Sequence, residues 1–164
     1  MDVIPFDDPR LTAMGLLSEV HAGLEARMNP VFTEAGLSMI DFETLIRLAR
    51  SPQRSLRMSD LAAQTGLSTS GMTRVVDRLE RCRLIRREPC VTDRRTSYAR
   101  LTEAGAAKLE TVLPRHLADI DALFTALLGD EEREAFMATL RKIRDVVRPC
   151  ATAGAVGSGC TGRA

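Results

Sequence analysis

Apolar residues recur at helical spacing over several long stretches of this chain and give way to two short extended ones. Leu11, Met14, Leu17, Val20 with His21, Leu24 and Met28 form a helical stripe, opened by Asp8 as a cap and Pro9 at the first helical position. Pro30 is expected to kink or end that helix. Ser38 with Asp41 three residues later makes a capping-box start, and Phe42, Leu45, Ile46 and Ala49 give the second helix its buried face before Ser51-Pro52-Gln53 stops it. Ser59 caps a short third helix with Leu61 and Ala62 facing inward, and Gly66 supplies the left-handed residue that ends it. Ser68 then opens a fourth helix, running to Glu80, with small hydrogen-bonding residues at its tip and arginines along one side. Leu84-Ile85-Arg86-Arg87-Glu88 and Tyr98-Ala99-Arg100-Leu101 read as two strands around a projecting polar loop, Pro89 to Ser97. Thr102-Glu103 begins a long helix through Leu109, Leu113, Leu117, Ile120, Leu123 and Leu127, bent at Pro114, and Gly129-Asp130 separates it from a last helix striped by Phe136, Leu140, Ile143 and Val147.

Two short helices joined through a glycine turn, the second with a polar tip, make a helix-turn-helix, and the hairpin behind them adds a wing. The expected fold is therefore mainly α with a small β-hairpin wing. It divides into an N-terminal dimerisation helix over residues 1–36, a winged helix-turn-helix unit over 37–102, C-terminal dimerisation helices over 103–148, and a flexible tail of Gly, Ala, Ser and Thr over 149–164. The terminal helices carry apolar stripes outside a middle segment that has its own core, and 164 residues leave no second domain to cover them. Burial against a second copy, a homodimer, is the economical solution.

Charge sharpens the picture. The chain is almost neutral at +1, yet residues 47–100 hold 13 arginines against five acidic side chains, while the remainder holds 10 basic and 17 acidic. A basic field confined to the helix-hairpin segment attracts a phosphate backbone to one surface. The abundance of arginine, 21 of the 23 basic residues, is better assigned to codon bias, since it extends outside that segment. Membrane spans and a signal peptide are not indicated, which points to the cytoplasm and to reduced thiols at Cys82, Cys90, Cys150 and Cys160. His21 and His116 have no ligand-spaced partner, so neither a metal nor a cofactor is expected. With no nucleophile–base pair, paired carboxylates or phosphate loop, the chain reads as a binding protein and not an enzyme.

Ser59-Asp60-Leu61-Ala62, the stretch Met72 to Glu80 followed by Leu84-Ile85, and Asp93-Arg94-Arg95 through Leu101-Thr102-Glu103-Ala104-Gly105 resemble the MarR family of transcriptional regulators over roughly residues 10–148. The resemblance implies a homodimer that binds double-stranded DNA at a palindromic operator, most often as a repressor. Carried over by position, Ser70, Thr73, Arg74 and Arg78 would face the major groove, with Thr69 in the same hydroxyl tip, while Arg95, supported by Asp93, would enter the minor groove. Ser59 and Ser68 at helix starts would hold phosphates. Arg94 is left between a phosphate contact and simple solvation. Arg83 stands where the family usually has glycine, which sets up a positive φ or a different helix end. The resemblance also implies release by a small aromatic or acidic effector, for which His21, Arg27, Phe42 and Arg47 are the candidate lining. The competing reading is a winged-helix dimer that works in protein association with DNA binding lost.

Overall fold

The computed structural model describes residues 6–90 and 96–154. In chain order the elements are α1 (Pro9–Glu34), α2 (Met39–Ala49), β1 (Ser55–Arg57), α3 (Met58–Thr65), α4 (Thr69–Arg81), β2 (Ile85–Pro89), β3 (Ser97–Leu101), α5 (Glu103–Leu123) and α6 (Asp130–Val147). Short 3-10 turns lie at Pro52–Arg54, Thr125–Leu127 and Pro149–Thr152. The three strands form one antiparallel sheet in the order β1-β3-β2.

The core lies where α2, α4 and α5 meet the sheet. Phe32, Leu45, Leu48, Leu61, Met72, Val76 and Ala99 are wholly covered there, with Leu79, Ile85 and Leu101 beside them. Pro30 sits inside α1 without ending it, because Val31 and Phe32 in the following turn are buried and hold the backbone helical. Packing outweighs the one hydrogen bond that proline removes. Ser38 and Asp41 form the anticipated capping box at α2. The start of α3 differs from expectation: the helix begins at Met58, Arg57 occupies the cap position without a side-chain cap bond, and Ser59 lies inside the first turn. Arg57 also ends β1, so strand and helix abut with no residue between them.

The join between wing and α5 explains a five-residue motif. Thr102 Oγ1 accepts from the Gly105 amide at 3.0 Å and donates toward the Arg83 and Leu84 carbonyls, while the Thr102 amide donates to the Leu84 carbonyl at 3.1 Å. A Cβ at Gly105 would lie 2.2 Å from that same Leu84 oxygen, so only glycine fits. Arg83 has φ +61°, the left-handed conformation its position suggests.

The flexible tail expected from Pro149 needs correction at its start. Pro149–Thr152 forms a turn, Ala153 is buried at 3 % exposure, and Gln64 Nε2 donates to the Ala153 carbonyl. Small residues permit this close approach, so the composition that suggests disorder here serves packing. Cys82 and Cys90 are thiols.

Candidate nucleic-acid interface

Gly66 leaves α3 with φ +73°, and Ser68 caps α4, its hydroxyl oxygen accepting from the Gly71 amide at 3.1 Å. The Ser68 and Ser70 hydroxyls share a further hydrogen bond at 3.1 Å. Thr69 is exposed beside them. The first turn of α4 therefore offers three hydroxyls and its free amides at the positive end of the helix, a suitable seat for an anion.

Along α4 the inner face is Met72, Val75, Val76 and Leu79, all buried, and the outer face is Ser70, Arg74, Arg78 and Arg81, with Thr73 half-buried at its edge. Arg74 has no hydrogen-bond or ion-pair partner among the described residues. Its guanidinium is available to give two donors to one pair of acceptors. Arg78 is committed elsewhere. Its Nε and Nη2 both donate to Asp41 Oδ1, at 3.1 and 2.5 Å, and Asp41 is 4 % exposed. The sequence reading places Arg78 at a groove beside Arg74; its guanidinium stays half-exposed on that face but is tied to Asp41, because a carboxylate so deeply placed requires a counter-charge and α4 supplies it. Asp41 Oδ2 meanwhile accepts from the Ser38 amide and hydroxyl at 2.9 and 2.6 Å, so one side chain both starts α2 and fixes α4 against it.

Arg87 escapes sequence reasoning, in which it is only part of a strand. Its Nη2 donates to the Thr73 carbonyl at 3.1 Å and pairs with Asp77 Oδ1 at 2.6 Å, while its amide donates to Glu80 Oε1 at 2.8 Å. These bonds hold β2 against α4. The signal was faint, because acidic residues on α4 a few positions before a strand arginine are ordinary helix-surface chemistry. Arg87, Thr96 and Ser97 join Ser59, Thr69 and Thr73 around a cavity of about 380 Å³ between the starts of α3 and α4 and the loop end of the hairpin. Nearer the base of the hairpin, Glu88 lies between Arg86 and Arg100, and the hydrogen bond from Arg100 chiefly holds its carboxyl below the usual carboxylate range. Arg57 Nε donates to Tyr98 Oη at 3.1 Å across the β1–β3 pair. Asp93, Arg94 and Arg95 lie outside the described residues.

The four candidate effector residues do not converge. Phe42 stacks on Phe32 at 4.5 Å and meets His116 edge-on at 4.8 Å, bordering an apolar cavity of about 530 Å³ with Ile46, Leu113 and Ile120 between α2 and α5. Arg47 borders a different, more polar cavity with Glu43 and Gln64. His21 and Arg27 are exposed on α1 and line neither. His116 stands where His21 was expected: burial holds its imidazole below the ordinary histidine value, opposed by Asp119, and Nδ1 has no hydrogen-bond partner among the described residues. No helix among the described residues is long and apolar enough to cross a membrane, and no three His, Cys, Asp or Glu side chains among them are grouped as metal ligands.

The MarR family model matches residues 35–96, from the end of α1 into the wing. The chain is 30% identical over 128 residues to the HTH-type transcriptional regulator MhqR of Bacillus subtilis, covering 78% of this chain and 86% of that protein. It is equally 30% identical to the transcriptional repressor MprA of Escherichia coli, over 78% of this chain and 72% of the relative. Among solved structures, AbsC from Streptomyces coelicolor, a MarR family transcriptional regulator, superposes with a TM-score of 0.82 at 33% identity over 90% of this chain and 99% of its own. Sco3205 from the same organism, solved in complex with DNA, gives 0.81 at 26% identity over 88% of this chain and 94% of that one.

Proposed function

The chain belongs to the MarR family of transcriptional regulators, and we propose that it acts as a homodimeric repressor binding a palindromic DNA operator in the cytoplasm, without catalysis of its own. The carrying observation is the outer face of α4. Its hydroxyl tip leads to Arg74, which has no partner among the described residues, on a backbone that matches a relative solved with DNA. In this reading Ser70, Thr73 and Arg74 meet base edges in the major groove. Ser59, Ser68 and Thr69 hold phosphates, with Arg87 fixing the angle between α4 and the wing. Arg95, supported by Asp93, enters the minor groove, where narrowing strengthens the negative potential, and Arg94 contacts phosphate.

The terminal helices, residues 1–36 and 103–148, supply the dimer. Leu11, Met14, Leu16, Leu17 and Val20 on α1, with Ile143, Val146 and Val147 on α6, are exposed large apolar side chains in the single chain, and a second copy that buries them doubles every DNA contact across a two-fold axis. An effector is proposed for the apolar cavity between α2 and α5, where Phe42 and His116 suit a small aromatic molecule and Arg50 and Arg54 at its edge suit an acidic one. A mobility-shift assay on the DNA upstream of the chain's own coding sequence tests the central reading. Retarded bands that compete with specific but not with scrambled DNA are expected. Equal competition by both would assign the protein to association without sequence reading.

A further inference from the structure

The end of α6 is tied to α3 by contacts that DNA reading does not require. Arg148 Nη2 donates to the Gln64 carbonyl oxygen at 3.0 Å. That oxygen belongs to the last turn of α3, where intrahelical donors run out and the negative end of the helix favours a cation. Gln64, itself 6 % exposed, sends Nε2 to the Ala153 carbonyl, and its Oε1 accepts from Arg47 Nη1 at 3.3 Å. The same Arg47 nitrogen donates to the Ala151 carbonyl at 3.2 Å, so α2, α3 and the turn after α6 share one network.

Two glycines show how tightly the parts fit. A Cβ on Gly66 would lie 2.8 Å from Arg148 Nη2. A Cβ on Gly154, which has φ +75°, would lie 2.9 Å from Asp60 Oδ2 and 3.0 Å from Leu56 Cδ2. The helix gripped in this way is short, eight residues, and lacks a side-chain cap at its start. A helix of that length has little stability of its own and depends on what is packed against it.

We propose that residues 148–154 form a clasp, an intramolecular docking element that holds α3 to the end of α6. Because α3 joins α4 through a turn only a few residues long, the clasp fixes the reading helix relative to α6. The effect on DNA rests on the proposed function. The clasp itself does not, and can be measured with no DNA present.

Two full-length variants separate these. Arg148→Ala removes the guanidinium from the end of α3, and Gly154→Val places a branched side chain where Asp60 and Leu56 leave no room. Neither residue is among the DNA-facing set. Hydrogen exchange of the α3 amides should quicken about tenfold in both variants, while those of α5 around Leu109 stay as they were. Arg148→Lys should recover part of the protection, since it keeps the charge and one donor. Operator affinity should fall several-fold in the two disruptive variants and less in Arg148→Lys. Unchanged exchange in α3 in both disruptive variants overturns the clasp. Faster exchange with unchanged operator affinity overturns its role in setting the reading helix. An unaltered chain that binds no operator defeats the DNA-reading assignment alone, because the exchange comparison still reports on the clasp.

Discussion

In α4 every large apolar side chain is covered: Met72 and Val76 are at 0 %, Leu79 at 2 % and Val75 at 6 % exposure. In α6, Phe136, Ile143, Val147 and Val146 range from 39 to 81 %. Both helices are amphipathic, so the difference lies in what each faces. The segment from α2 into α5 builds a core with a sheet on one side, closed by Val31 and Phe32 from the end of α1, whereas the N-terminal part of α1 and α6 present apolar side chains that the single chain leaves exposed. A substitution should therefore report different physics according to the region in which it is made.

The largest contrast comes from one kind of deletion made twice. Leu79→Ala should lower unfolding free energy by about 2–5 kcal/mol, through lost transfer energy and a cavity, at every protein concentration. Leu17→Ala, at a position 46 % exposed, should instead raise the dimer dissociation constant in sedimentation and make the melting temperature more dependent on concentration. If Leu17→Ala destabilises the fully dissociated chain as much as Leu79→Ala does, the two regions are not distinct.

Within α4 the division repeats at smaller scale. Arg78→Ala should cost about 1–3 kcal/mol of stability, the penalty for leaving Asp41 buried without its partner, moderated by the half-exposed guanidinium. Arg74→Ala should leave the denaturation midpoint alone and cost about 1–3 kcal/mol on the operator, relaxing preference at one position in each half-site. Uniform loss of affinity on all sequences for Arg74→Ala would reduce that residue to a phosphate clamp. A smaller effect is expected at the end of α4, where Arg83→Gly should raise stability by about 0.5–1 kcal/mol, because relief of the left-handed strain exceeds the added freedom of the unfolded chain. Denaturant titration at fixed protein concentration measures it.

The least effect, and the one that joins the two regions, belongs to His116 on α5, packed against Phe32 of α1 and Phe42 of α2. Its folded-state value is depressed below the ordinary 6.5, so as pH falls the unfolded chain takes up the proton first. Stability should be full above that value and decline modestly as pH drops from there toward the lower folded value. The decline should flatten in His116→Gln, compared by thermal melts between neutral and mildly acidic buffer.

Much of this architecture could be read in the chain because its signals are local. The Ser38–Asp41 capping box, the Ser68 cap, the left-handed Gly66, and the start of α5 at Thr102 each depend on residues within a few positions, whereas for Arg83 the sequence leaves open a positive φ or a different helix end, and the structure has the former. What was missed is short or distant. Ser55–Arg57 is too brief to show alternation, and it becomes a strand because β3 offers its open edge. Ser59, a good cap by type, gives way to Arg57 since β1 fixes where the backbone can turn. The Arg78–Asp41 pair spans 37 positions and the Gln64–Ala153 bond spans 89, separations over which spacing carries no information.

The strand order has a mechanical consequence. With β3 in the middle, a pull on the wing is divided between β2, which Arg87 rivets to α4, and β1, which Arg57 and Tyr98 brace from the side. Since β1 runs into α3 without an intervening residue, the hairpin is the handle of a stiff lever whose other arm is the helix-turn-helix. Tension at its tip should thus tilt the whole unit as one body before it bends the wing.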